Sequence, residues 1–291
     1  MKEYLQCLLT NGGYDAEDAA YLLSVYDCVQ KNETAARCMT QAMEEYAKET
    51  CDYGRLLTLA DEAAVSIGVH EYTAELLVYM LLSKPLLSRY RERGIDEAIF
   101  WNSMLDLKYK LEECKAVKGV CGSFVAWWFE GFFDLTRFAF GRLQFEIVPF
   151  GTSYEKNGKT LTPDSKVINV HIPRTGTPLL PEECEDAYRR AAAFFADRIE
   201  GDKAFVCYSW LLYPDNETIL TDQSNIVRFM KRYDMFHWGI DKNKRDLWRL
   251  FDTDESHPDR LPTDTTARRL YAEHIRRGGK LGWGHGVFFI D

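Results

Sequence analysis

The stretch VINVHIPRTGTPLLPEECEDAYRRAAAFF, residues 167–195, changes period in its middle. Val167, Ile168, Val170 and Ile172 form a β-branched run that Pro173 stops. From Cys184 the apolar residues Ala187, Tyr188, Ala191, Phe194 and Phe195 recur at helical spacing. Between strand and helix lies Arg174-Thr175-Gly176-Thr177. A strand-to-helix loop with a central glycine either turns the chain or holds an anion on its amides, because a helix start presents unpaired N–H groups. Both readings stand at this point.

Working outward, residues 142–150 alternate, with Leu143, Phe145 and Ile147 on one face and Arg142, Gln144 and Glu146 on the other. Asn157-Gly158 is a two-residue hairpin signal. Strands are predicted over 166–172 and 204–212, the second ended by Pro214. Ser224 caps a helix that runs to residue 232, and 234–240 and 247–251 read as strands or extended segments. Thr263 caps a helix through residue 277, stopped by Gly278-Gly279, before a last apolar strand over 286–290. The glycine cluster GGKLGWGHG, 278–286, follows a helix and precedes a strand, the reverse of a dinucleotide loop, and reads as a flexible connection.

Upstream of Gly141 the pattern is helical. Ala19, Leu22, Leu23, Tyr26 and Val29 form one stripe, and Met39, Ala42, Met43, Tyr46 and Ala47 a second. A third helix covers 72–87, and Phe100, Met104, Leu107, Leu111 and Cys114 mark a fourth. His70, alone near a helix start, reads as structural or exposed rather than as a ligand. Residues 124–138 are aromatic on every side, which predicts a helix buried all round, with Glu130 and Asp134 on one face. The division that follows is a helical domain over 1–121 and an α/β domain over 122–291.

The 291 residues suffice for about two domains. A net charge of −9 argues against a nucleic-acid binder working through a basic face. Eight cysteines occur without a Cys-x-x-Cys pair, so free thiols in a reducing cytoplasm are expected and a metal centre is not. The longest apolar run, 76–82, is far short of the ~20 residues of a membrane span. Composition and terminus together predict a soluble, cytoplasmic chain with no membrane contact.

The order of hairpin, strand, loop, helix, strand, helix and terminal strand resembles the GNAT N-acyltransferase fold. The whole chain is similar to bacterial proteins that join a helical N-terminal domain to a GNAT-like C-terminal domain. The segments that carry the likeness are GRLQFE at 141–146, VHIPRTGTPL at 170–179, FVCYSWLLYP at 205–214, and LPTDTTARRLYAEHIRRGG at 261–279 before GHGVFF. It implies an α+β protein, all-helical and then mixed-sheet, that uses acetyl-CoA or another acyl-CoA as co-substrate and a small-molecule or peptide amine as acceptor.

In that family the loop after the central strand offers amides to the CoA pyrophosphate. Here this corresponds to 174–180, with Arg174, Thr175, Gly176 and Thr177 as binding residues and Arg174 as a cationic partner. The usual Arg/Gln-x-x-Gly-x-Gly/Ala pattern is incomplete, and Pro178 and Pro181 each lack an amide donor. The resemblance further implies a backbone N–H near Val170, His171 and Ile172 that polarises the thioester carbonyl. Glu146 is the first choice of base, with a solvent-facing strand glutamate as its alternative, and His171 is either a base or a core residue. Tyr208 and Tyr213 are candidates for the acid that protonates the thiolate, or pack in the core. Cys207 is a nucleophile or a buried thiol, and the acidic run 252–257 is a metal-like cluster or a solvated loop. The competing function is a non-catalytic binding module on the same scaffold with an eroded CoA site. A serine or cysteine hydrolase lacks its Gly-x-Ser-x-Gly elbow.

Overall fold

The computed structural model describes residues 1–243 and 246–290. They fall into two compact units, Met1–Phe138 and Ala139–Asp291. Among the described residues no helix is long and apolar enough to cross a membrane.

The first unit contains α1 (Lys2–Asn11), α2 (Ala16–Lys31), α3 (Glu33–Tyr46), α4 (Tyr53–Ile67), α5 (Glu71–Glu92) and α6 (Glu97–Lys118). Asp15, Asn32, Asp52 and Asp96 cap α2, α3, α4 and α6 by accepting from first-turn amides. His70 does the same for α5, its Nδ1 accepting from the Tyr72 N–H at 3.2 Å, which accounts for this lone histidine. The helix buried on all sides is α5, where Leu76, Leu77, Tyr79, Met80, Leu82 and Leu86 are fully inaccessible.

The single helix expected over 124–138 does not form. A 3-10 turn, Ala126–Phe129, leads into the one-turn α7 (Glu130–Phe133). Leu135 then turns left-handed at φ 59, and the Thr136 N–H closes the end on the Gly131 carbonyl at 3.0 Å. The rings are still largely core. Phe129 and Phe133 meet the Tyr79 ring edge-on at 5.1 and 4.9 Å, and the Tyr46 hydroxyl donates to the Phe133 carbonyl at 3.0 Å. Trp127, by contrast, is 55% exposed, and the Arg137 guanidinium lies 3.7 Å over the half-buried Trp128. Asp134 accepts from the Tyr53 hydroxyl at 2.6 Å, so it is a structural carboxylate.

The chain passes between units within β1 (Arg137–Phe140). The remaining strands are β2 (Leu143–Pro149), β3 (Tyr154–Lys156), β4 (Lys159–Leu161), β5 (Lys166–His171), β6 (Lys203–Ser209), β7 (Asp234–Ile240) and β8 (Gly282–Ile290). The main sheet has the order β1-β2-β5-β6-β8-β7, and β3-β4 is a separate hairpin turning at Asn157-Gly158 as that dipeptide predicts. The β5–β6 pair is parallel, joined through α8 (Pro181–Phe194), whereas β2–β5, β6–β8 and β7–β8 are antiparallel. On the α8 side of the sheet Tyr188 packs edge-on against Phe145, Phe205 and Phe288 at 6.0, 5.5 and 4.8 Å. This is the α+β arrangement expected.

Three local expectations are corrected. Residues 247–251 form a short helix, α11 (Leu247–Phe251), following α9 (Asn216–Ile219) and α10 (Asn225–Met230). Its Leu247, Leu250 and Phe251 have helical spacing and share a small core with Leu220, Val227 and Tyr271. The cap of α12 (Thr266–Arg276) is Thr265, not Thr263, because Thr265 Oγ1 accepts from the Arg268 N–H at 3.2 Å. The glycine cluster is not a flexible link, since Gly282, Gly284 and Gly286 lie inside β8. A Cβ on Gly284 would stand 2.0 Å from the Leu212 carbonyl oxygen, and one on Gly282 2.3 Å from the Tyr213 ring. These glycines admit a close backbone approach.

The two classes of ring in 124–138 should separate on truncation. Phe133→Ala, at a fully buried ring, is expected to cost on the order of 3–5 kcal/mol, and Trp127→Ala within about 0.5 kcal/mol. Urea denaturation measures both, and equal losses would contradict the packing described.

Candidate functional site

The parallel ladder between β5 and β6 consists of Ile168–Phe205 and Asn169–Val206. Beyond it, Val170 and His171 continue against Phe145 and Gln144 of β2. Cys207, Tyr208 and Ser209 continue against Gly286, His285 and Gly284 of β8. Each strand follows its own antiparallel partner, so the two part at their carboxyl ends. In sheets of this kind the crevice beyond the carboxyl ends of parallel strands receives ligands.

Side chains alternate along a strand, so Asn169 and His171 share a face, and Glu146 lies opposite Asn169 in β2 on that same face. His171 Nε2 is 2.6 Å from Glu146 Oε1, and Asn169 Nδ2 donates to the same oxygen at 3.4 Å. Asn169 Nδ2 also lies 3.2 Å from His171 Nε2, so the three side chains form one polar cluster, in which an ionised Glu146 would accept from a proton on Nε2. Both side chains are largely withdrawn from water, 15% exposed for Glu146 and 21% for His171. The histidine left open by the sequence therefore faces the glutamate, away from the α8 core.

Tyr208 stands two residues beyond Val206, as His171 stands two beyond Asn169. Register alone thus sets them at one level and on one face across the opening. Tyr208 is 60% exposed. Its ring lies 4.8 Å from Trp283 and meets His285 at 6.1 Å. Tyr213 lies past the end of β6. It follows the 3-10 turn after β6, is buried, and donates to Asp215 at 3.1 Å; burial and that carboxylate raise its pKa. Cys207 is fully buried on the α8 face, and burial pushes its thiol far above the ordinary range, which rules it out as a nucleophile.

The loop after β5 is stitched on its carbonyl side. Arg142, immediately before β2, donates from Nη1 to the Pro173 carbonyl at 2.9 Å, from Nε to that of Pro178 at 3.4 Å, and from Nη2 to that of Thr177 at 3.5 Å. The Thr177 N–H donates to Thr175 Oγ1 at 3.3 Å. Among the described residues the amides of Thr175 and Gly176 have no protein acceptor. Gly176 has φ +74, with nothing near the place a Cβ would occupy, so its conformation calls for glycine while its surroundings stay open. Arg174 pairs with a carboxylate. Its Nε and Nη2 donate to Asp252 Oδ1 and Oδ2, both at 2.7 Å.

Several of these groups escape a sequence reading. Asn169 was visible only as the polar partner of His171 at period two in a β-branched strand, and Arg142 only as one residue of a polar face. Asp252, in the acidic run, is tied to arginines, and among the described residues no group of three or more His, Cys, Asp or Glu could hold a metal. A groove of about 960 Å³ lies at the amino ends of β5 and β6, lined by Lys159, Lys166, Arg198, Asp202 and Phe289 among others. None of the chemical groups above borders it.

Residues 137–288 match the family described as GNAT-like C-terminal domain, and residues 3–135 that described as N-acyltransferase N-terminal domain. The fold is similar to that of an acyltransferase in complex with decanoyl-CoA and teicoplanin, at 19% identity and a TM-score of 0.66 over 99% of both chains. A mutant acyltransferase in complex with octanoyl-CoA gives 18% identity and a TM-score of 0.66, again over 99% of each chain. No curated protein matches the chain.

His285, beneath Tyr208, supplies a pH test. Burial and then His237 hold its pKa below the usual 6.5, so the folded chain binds this proton less readily than the unfolded one. Its contribution is complete above the ordinary pKa and is lost as pH falls below it. His285→Phe should therefore flatten the loss of urea resistance between pH 7.5 and pH 5, about the span over which an unperturbed histidine titrates. An unchanged slope would contradict this assignment.

Proposed function

Since the chain belongs to the family that joins an N-acyltransferase N-terminal domain to a GNAT-like C-terminal domain, we propose that it transfers an acyl group from acyl-CoA to the nitrogen of an amine. The observation that carries this reading is the Glu146–His171 pair at the opening between β5 and β6, level with Tyr208 across it. Solved acyltransferases of the same fold are in complex with decanoyl-CoA, octanoyl-CoA and, in one case, teicoplanin, which supports acyl-CoA as the donor here. The acceptor is a small-molecule or peptide amine. The eight free thiols suit a reducing cytoplasm.

The residues present fit the donor. The amides of Thr175 and Gly176, which have no acceptor among the described residues, suit a pyrophosphate. Glu182 and Glu183 occupy the first turn of α8 and Pro181 lacks an N–H, so the loop rather than the helix start is the anion donor. When bound, acyl-CoA supplies the thioester carbonyl and the thiolate leaving group. The β5 backbone beyond Asn169, near Val170 to Ile172, donates an N–H to the carbonyl oxygen as negative charge develops there. His171 takes the amine proton, and the Glu146 carboxylate stabilises the resulting imidazolium. Tyr208 gives its phenolic proton to the departing sulfur. Tyr213, committed to Asp215, takes no part.

Glu146→Gln and His171→Gln should each lower kcat by about 10²–10⁴-fold while leaving the rise in melting temperature with CoA unchanged. Gly176→Val should do the reverse, weakening CoA by more than about tenfold, roughly 1.4 kcal/mol, in a protein that still folds. Thiol release from acetyl-CoA with a panel of amines, together with thermal shift, measures both. Binding without turnover would favour the non-catalytic module, a reading supported by the engagement of Arg174 with Asp252. The absence of both would remove the CoA reading.

A further inference from the structure

We propose that Asp252 is a positioning residue. It anchors the loop 174–180 by holding Arg174, so that the loop amides, and not this guanidinium, meet the phosphate. The CoA part rests on the function proposed above; the anchoring part does not.

Arg174 immediately follows Pro173 at the foot of the loop, and both contacts to Asp252 are 2.7 Å, the short parallel geometry of a bidentate pair. The carboxylate side chain is only 14% exposed, so the pair is partly removed from solvent screening. Asp252 is itself fixed in two ways, through its backbone and through a second arginine. Its backbone is left-handed at φ 52, closing α11 with an N–H on the Trp248 carbonyl at 2.8 Å. Arg268, near the start of α12, donates through Nη2 to Asp252 Oδ2. Arg268 is held in turn by the Asp264 carboxylate at 2.9 and 3.0 Å and by the Leu250 carbonyl at 3.1 Å. The foot of the loop is thereby joined to the α11–α12 core, while Arg142 grips its carbonyls from β2. A loop held on both sides keeps its remaining amides in place without giving up a guanidinium.

The alternative role has the opposite sign. If Arg174 were a phosphate ligand, Asp252 would compete with the phosphate, and removing the carboxylate would tighten CoA. As an anchor, Asp252 has the reverse effect. Asp252→Gly keeps the left-handed backbone open to the chain, and Asp252→Asn keeps the size but not the charge. Each is expected to weaken CoA by about tenfold, the scale of losing one partner of a charged hydrogen-bonded pair, with kcat at saturating acetyl-CoA within about twofold. Arg174→Ala should also weaken CoA, and the double variant Arg174→Ala/Asp252→Gly should be no weaker than Asp252→Gly alone, because Asp252→Gly already removes the Arg174 pair.

A second readout needs no CoA. Trypsin must take the Arg174 side chain into its own pocket, so the anchored residue resists cleavage. Asp252→Gly should speed cleavage after Arg174 by about tenfold relative to cleavage after the exposed Arg277, where the substitution has no contact. Faster cleavage in a protein that binds no CoA would uphold the anchor and remove the CoA reading. Tighter CoA binding by Asp252→Gly, or unchanged cleavage after Arg174, would overturn the proposal.

Discussion

Two parallel strands that share two register pairs, and are then claimed by different antiparallel neighbours, set the geometry on which everything else in the α/β unit depends. β5 is bound to β2 from Lys166 to His171, and β6 to β8 from Lys203 to Ser209. These long ladders satisfy the outer edge of each strand and hold them apart at the carboxyl end without local backbone strain. The inner edge of β5 beyond Asn169 gives up ladder bonds that a closed sheet would have, a cost in hydrogen bonding that a ligand carbonyl can offset. Glycines in β8 serve the same geometry, since Gly282 and Gly284 let the turn after β6 lie directly against the strand.

Around that opening, ionic groups are fixed in pairs. Glu146 holds His171 at its Nε2, and Asp252 holds Arg174 at its guanidinium. Arg142 collects the carbonyls of Pro173 and Thr177 at the two ends of the loop 174–177. A carboxylate shielded from water strengthens its hold on a neighbouring base while keeping it partly protected from salt. The reactive groups are thus oriented by neighbours on rigid strands, which is what catalysis by positioning requires.

How much of this was legible follows from the range of the interactions. The β2 alternation, the Asn157-Gly158 hairpin, the strand–loop–helix at 166–195 and the side of β2 that carries Glu146 depend on neighbours a few residues away, and the sequence pattern displays them. The broken segment at 124–138 was misread because aromatic density mimics a buried helix, while one left-handed residue, Leu135, ends it. The glycines of β8 were misread because close approach by Leu212 and Tyr213 is a tertiary fact. The Asp252–Arg174 pair joins residues 78 apart in the chain, and no local pattern announces it. His171 sat between two readings because alternation gives a face but not the identity of what lies on it.

A crystal structure with acetyl-CoA bound tests the central claim most directly. Pyrophosphate oxygens are expected on the amides of Thr175 and Gly176, and the thioester carbonyl on the β5 backbone just beyond Asn169, beside His171 and Tyr208. Acetyl-CoA seated instead in the groove lined by Lys159, Lys166 and Arg198, at the opposite end of the same strands, would contradict it.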